Sequence, residues 1–153
     1  MLFRSITQKV QGLNDRADAF DIGATVNVAG FGLTGYYYTG NGIGQTLQLN
    51  SGFDAAKNSR DSDGYYVQGT YTLPGVGTKL GVSWGKSNLD SNGVAAGDNS
   101  ADTSDQMWTI GAYHPLTKHL NLVAEYSDQK HKVNVPNGDG KAKTFALGAI
   151  MFF

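Results

Sequence analysis

Apolar residues recur at every second position in separate stretches of the chain. Phe20, Ile22, Ala24, Val26 and Val28 are interleaved with Asp21, Gly23, Thr25 and Asn27. Tyr65, Val67, Gly69, Tyr71 and Leu73 alternate with Tyr66, Gln68, Thr70 and Thr72. Leu80, Val82 and Trp84 alternate with Lys79, Gly81, Ser83 and Gly85, and Trp108, Ile110 and Ala112 with Thr109, Gly111 and Tyr113. Leu120, Leu122, Ala124 and Tyr126 oppose Asn121, Val123, Glu125 and Ser127. Phe145, Leu147, Ala149, Met151 and Phe153 oppose Thr144, Ala146, Gly148, Ile150 and Phe152. Stretches 2–10 and 31–39 alternate more weakly. A period of two sends successive side chains to opposite faces of a strand, whereas a helix would repeat at three and four residues. The pattern predicts eight strands, each with an apolar face and a polar or small one.

The links between these strands alternate in length. Short ones fall near Ala29–Gly30, at 74–77 and at 115–119; longer polar ones span 11–19, 41–62, 88–105 and 128–142. Outer-membrane barrels have short periplasmic turns and longer extracellular loops, so the lengths give every strand a direction. Once directions are set, Phe20, Tyr37, Tyr65, Trp84, Trp108, Tyr126 and Phe145 all fall at the extracellular end of the apolar face. That is the pattern of an aromatic girdle at the headgroups, and Phe31, Tyr71 and Phe153 would form a sparser lower one. A soluble sandwich also alternates, but its core has no reason to sort rings by height. A strand of about 10 residues rises roughly 34 Å, and a tilt near 40° projects this to about 26 Å, close to the apolar band of a barrel. Outward charges are expected only at strand ends, with Arg4 near the bottom and Lys86, Lys130 and Lys143 near the top. The predicted fold is an all-β, antiparallel transmembrane β-barrel of about eight meander strands, residues 1–153 forming one barrel domain or half of one.

Composition agrees with this. Only 16% of residues are charged and 21 are Gly, which suits strands and turns better than helices. No run approaches the roughly 18 apolar residues of a membrane helix, which barrel strands do not need. A net charge of −1 offers no basic surface for nucleic acid. The absence of Cys suits an oxidising periplasm, though weakly. Met1 runs straight into an amphipathic strand without a signal peptide, so a removed N-terminus or a piece of a longer chain is expected.

The terminal stretch Phe145-Ala-Leu-Gly148-Ala-Ile-Met-Phe-Phe153 resembles the end of the Gram-negative general porins, with a final Phe, Gly five positions before it and alternate apolar positions. Gly111-Ala-Tyr-His-Pro-Leu-Thr-Lys118-His-Leu-Asn-Leu-Val-Ala-Glu-Tyr126 is similar to the strand–turn–strand before the family's last hairpin. The resemblance implies the C-terminal half of a barrel of about 16 strands with an aqueous channel, usually a homotrimer, for passive diffusion of small hydrophilic solutes and ions. It also implies that Phe153, with Gly148, is read by the outer-membrane assembly machinery. The chain departs from the family where Ile150, Met151 and Phe152 replace polar or basic residues and Val123 replaces a lumen-facing aromatic. The family's constriction loop belongs to the other half, so selectivity does not carry over.

The inward row Asp21, Thr25, Asn27, Tyr36, Tyr38, Tyr66, Gln68, Lys79, Ser83, Tyr113 and Glu125 is expected to line water. Rings of charge can set ion selectivity, which makes Lys79, Asp21 and Glu125 candidates against a generic wetted wall. Lys86, Lys130 and Lys143 are placed either to meet lipopolysaccharide phosphates or simply to snorkel beside outer-membrane lipid. Asp90, Asp98, Asp102 and Asp105 read as a solvated acidic loop rather than a cation site. Gly40-Asn-Gly42-Ile-Gly44 lacks the following helix of a phosphate-cradling loop. His114, His119 and His131 show no ligand spacing, and no nucleophile–base set occurs. The expectation is a protein without catalytic activity, metal or cofactor. The competing function is a self-contained eight-stranded barrel acting as anchor, adhesin or small-molecule binder, because eight strands leave no open channel. A soluble β-domain is the third class.

Overall fold

A computed structural model describes residues 1–9, 11–13, 15–45, 51–91 and 101–153. The alternating stretches form β1 (Leu2–Lys9), β2 (Arg16–Val28), β3 (Phe31–Asn41), β4 (Asp61–Thr72), β5 (Lys79–Leu89), β6 (Thr103–Thr117), β7 (Leu120–Val133) and β8 (Gly140–Met151). Each strand is antiparallel to the next, in one sheet ordered β1 to β8. The fold is an all-β meander. The sheet is not closed: β1 pairs only with β2, and β8 only with β7. Among the described residues no helix is long and apolar enough to cross a membrane.

The three short links are tight for identifiable reasons. Ala29 and Gly30 both take positive φ, 49° and 85°, the backbone of a type I′ hairpin turn. Leu73 N–H donates to Thr78 O at 2.8 Å, and Gly77 N–H to Leu73 O at 3.0 Å, with Gly75 and Gly77 at positive φ. The third link is shorter than the expected 115–119. β6 continues to Thr117 with a register shift between Pro115 and Thr117. Pro115 has no N–H to donate, and a bulge absorbs the gap.

The long links are also shorter than the alternation implies, leaving 42–60 between β3 and β4, 90–102 between β5 and β6, and 134–139 between β7 and β8. Backbone pairing does not need an apolar face, so the ladders run on into polar sequence. β2 to β8 reach 11 to 15 residues, at or above the upper end of the roughly 9–11 that cross a bilayer.

There is almost no conventional core. Ala17 and Leu89 are the buried apolar residues among those described, while Val26, Leu33, Val82 and Ile110 on the apolar face are 53–65% exposed. An apolar face spread over the whole sheet is far larger than the patch a soluble monomer leaves to water.

Candidate functional site

Register brings the polar sides of the strands together as ladder lines running across the sheet. Asp21, Tyr38, Ser87, Asp105 and His131 share one line. Tyr36 and Tyr66 stand opposite each other in the next. Below them Thr25, Thr34, Gln68, Ser83, Thr109, Ser127 and Thr144 form an unbroken line of hydroxyls and amides. Asn27 and Glu125 belong to the following line, and Lys79 and Tyr113 to the one after. All eleven inward candidates thus share the polar face.

These side chains bond mainly to one another along the wall. Thr25 and Thr34 hydroxyls are 3.0 Å apart, and those of Thr109 and Ser127 2.8 Å. Tyr38 bonds Ser87, Tyr66 donates to Gln68, and Tyr113 donates to Glu125. The tyrosine rings lie over glycines. A Cβ added at Gly64 would sit 2.3 Å from Tyr38 Cε1, and one at Gly23 or Gly111 3.1 Å from the ring of Tyr36 or Tyr113. The missing side chains leave room for rings to cover the backbone rather than project from it.

Arg4 is a correction. Expected outward, it stands opposite Asp21 on the polar face, with Nη2 2.9 Å from Oδ2 and Nε 3.0 and 3.2 Å from the two carboxylate oxygens. Both sides of β1 mix apolar and polar residues, so its own pattern cannot choose a face; the paired strand does. Asp105 is another correction. It lies within β6, not in the acidic loop, and its Oδ1 is 2.7 Å from His131 Nδ1. The alternation of β6 and β7, carried outward, puts Asp105 and His131 on one face, but it is the register shift between Pro115 and Thr117 that sets them opposite each other. Two of the three candidate charges are therefore partnered: Asp21 by Arg4, and Glu125 by Tyr113.

A feature with no signal in the alternation is the cap formed by the described parts of loop 42–60. Arg60, 6% exposed, donates from Nε to Asp90 O (3.0 Å), from Nη1 to Ser51 O (3.2 Å) and from Nη2 to Ala101 O (2.8 Å). Gln45 Nε2 donates to Ser87 O at 2.8 Å and Thr103 O at 3.3 Å, and Gln45 Oε1 accepts from Thr103 Oγ1 at 2.8 Å. Ser59 N–H donates to Asp15 Oδ2 at 2.9 Å. The strand residues buried at this end, Ala17, Ser62, Gly64 and Leu89, all have polar-face parity. The described parts of the loop therefore fold over the polar face at the end where the long links lie. Gln45 and Arg60 bond largely to backbone carbonyls, which no side-chain pattern reveals.

On the apolar face the seven outward aromatics are ordered diagonally. Phe20 is highest in register, Tyr37 and Tyr65 lie one ladder step lower, Trp84 and Trp108 another, and Tyr126 and Phe145 another. Tyr65 meets Trp84 edge-on at 5.1 Å, Trp108 lies 5.4 Å from Tyr126, and Phe31 lies 4.3 Å from Tyr71. Lys86, Lys130 and Lys143 are on this face, as expected.

No group of His, Cys, Asp or Glu among the described residues is arranged to hold a metal. Asp98 lies outside the described residues. Asp102 accepts the Ser91 backbone N–H at 2.7 Å, which holds this loop carboxyl below the usual carboxylate range. Gly148 and Phe153 lie at the open β8 edge, with Phe153 fully exposed.

No curated protein and no solved structure matches the chain. A family model described as Gram-negative porin matches residues 5–134. The match runs from β1 through β7 and stops short of β8 and the terminal Phe. It covers most of the polar wall, the cap and six of the seven diagonal aromatics, and the chain belongs to the Gram-negative porin family.

Proposed function

We propose that this sheet is one wall of a larger outer-membrane barrel whose lumen passes small hydrophilic solutes and ions by passive diffusion. The observation that carries the reading is the aromatic diagonal. It descends two residues for every two strands, about 3.3 Å along for about 4.8 Å across. If the rings are level in the membrane, the strands tilt by about 35°, within the range of outer-membrane barrels. The opposite face supplies hydroxyls, amides and paired charges suited to water, without catalytic chemistry. The open edges of β1 and β8 need partners in lipid, because unpaired backbone groups there cost several kcal/mol each. Further strands, as in a 16-stranded porin, would satisfy both edges. The full barrel is expected to assemble as a homotrimer in the cell outer membrane, among lipid and lipopolysaccharide.

Single-channel recording tests the channel. Protein extracted from outer membranes should give a large, weakly selective conductance. The eight strands alone, refolded as a monomer, should give little or none, since only about 16 strands leave a water-filled lumen. A wide, stable pore from the isolated monomer would sink the larger-barrel reading.

Two further measurements address the membrane faces. Trp84 and Trp108 fluorescence should be quenched best by lipid quenchers held shallowly in the bilayer; quenching by aqueous reagents alone would remove their lipid-facing assignment. Deleting Phe153 should sharply reduce assembly in cells, where the machinery reads it, but barely affect refolding into detergent. Undiminished assembly in cells would count against the signal.

A further inference from the structure

The tyrosines of the polar wall are not level with one another. On the membrane-wall reading, Tyr65 of β4 and Trp108 of β6 stand at one height on the aromatic diagonal, which sets Tyr66 level with Thr109. Tyr113 lies four residues farther down β6 than Thr109, about 13 Å along the strand. Tyr36 faces Tyr66 across the β3–β4 ladder, and Tyr38 stands one step above Tyr36. The rings therefore descend the wall instead of forming a belt. The line of hydroxyls and amides from Thr25 to Thr144 runs between Tyr66 and Tyr113.

Each ring is laid along the wall. Tyr38 starts on β3, crosses β4 over Gly64 and bonds Ser87 on β5. Tyr66 is tied to Gln68, and Tyr113 to Glu125 with its ring over Gly111. A ring lying over backbone turns one face away from it, and Tyr36, Tyr66 and Tyr113 are half-buried rather than covered. The Tyr36 and Tyr38 centroids are 6.3 Å apart and their planes tilted by 37°, so neither ring hides the other's face. Charge beside the rings is largely paired within the wall, Arg4 with Asp21 and Asp105 with His131. Lys79 and Glu125 add one charge of each sign. Hydroxyls both donate and accept, so the line between the rings can match a solute's hydroxyls in either direction. A ligand fitting all of this is uncharged, rich in hydroxyls and has flat faces of C–H groups.

We propose that Tyr36, Tyr66 and Tyr113, with Tyr38 above them, form a stacking track for neutral sugars. The sugar's ring faces pass from tyrosine to tyrosine while its hydroxyls exchange bonds with the line from Thr25 to Thr144. The proposal rests on the channel reading above and names the solute class for which that channel is more than a sieve. Apolar C–H faces gain by leaving water for an aromatic face, and a wall of paired charges sets little electrostatic barrier to a neutral solute. Stacking shared among rings at successive depths keeps each contact strong enough to enter and weak enough to leave.

The test records single channels of protein extracted from outer membranes. The probes are maltohexaose, a neutral linear glucose oligosaccharide, and polyethylene glycol of matched size. Maltohexaose should interrupt the wild-type current reversibly, at a half-blocking concentration at least on the order of tenfold below that of the glycol. Joint Tyr36→Leu and Tyr66→Leu substitution removes two stacking faces and should raise the sugar's half-blocking concentration on the order of tenfold. Phe at both positions keeps the faces and should hold that concentration within about threefold of wild type. The single Tyr66→Leu variant, expected to lose about threefold, makes the same comparison where the double variant does not assemble. Equal block by the two probes overturns the proposal, because the wall then sorts by size alone. So does a double Leu variant blocked at wild-type sugar concentrations. Titration calorimetry on the same preparations separates the two readings. A channel that conducts in a protein binding no sugar overturns the track and leaves the channel standing. Sugar binding that weakens in the Leu variant, in a protein that conducts nothing, overturns the channel reading while still supporting the tyrosine site.

Discussion

Replacing Arg60 by Ala should release loop 42–60 from the polar face and raise the open-channel conductance of the assembled porin. The buried guanidinium donates to the carbonyls of Asp90, Ser51 and Ala101, tying 42–60 to both ends of the next long loop. Hydrogen bonds from a charged donor contribute about 1.5–3 kcal/mol each but do not simply add, so the cap should lose on the order of 3 kcal/mol. A Lys at this position has a single ammonium and cannot span three divergent carbonyls, so Arg60→Lys should recover little. The strands pair independently of the cap, and the barrel's unfolding temperature should change far less than the protease susceptibility of the loop. Conductance and loop cleavage both equal to wild type in Arg60→Ala would refute the role given to the cap.

Substituting Gly64 by Val should destabilise the sheet by about 2–4 kcal/mol, combining overpacking with a lost hydrogen bond. A Cβ at position 64 would lie 2.3 Å from Tyr38 Cε1 and 2.9 Å from Lys86 O. The backbone oxygen cannot move far, so the Tyr38 ring must swing off the wall and leave Ser87. In a channel the displaced ring would enter the lumen, and conductance should fall as stability does. Gly35 is the contrasting position, with no heavy atom within 4 Å of its added Cβ. Gly35→Ala should be neutral or slightly stabilising, by roughly 0.5 kcal/mol, because Gly costs a strand more conformational entropy than Ala. Heat unfolding of the two variants in one detergent checks both signs. Equal unfolding temperatures for Gly64→Val and wild type would mean that Tyr38 does not lie over Gly64.

Much of the wall was legible because alternation is local. Side-chain direction reverses at each residue of any strand, so Phe20, Ile22 and Ala24 had to share a face before their neighbours were known. Link lengths then gave strand directions, and with them the common end of the seven aromatics. β1 is the exception: Leu2, Phe3, Ile6 and their polar neighbours do not divide by parity, and only the pairing with β2 puts Arg4 on the polar face. The outer limits of the strands were also hidden, since ladder hydrogen bonds persist where apolar pressure ends. Asp105 consequently read as a loop residue.

Steric direction and turn chemistry act between near neighbours, so an all-β amphipathic meander, its eight strands, their two faces and the short turns are legible in the chain alone. The assembled fold sets which residues stand opposite one another: Arg4 with Asp21, Asp105 with His131, and Lys130 with Lys141. It also folds the described parts of loop 42–60 over the polar face. Cross-strand register depends on the relative slide of separate strands, and the cap is held mainly through backbone carbonyls, which every residue carries and no sequence pattern distinguishes.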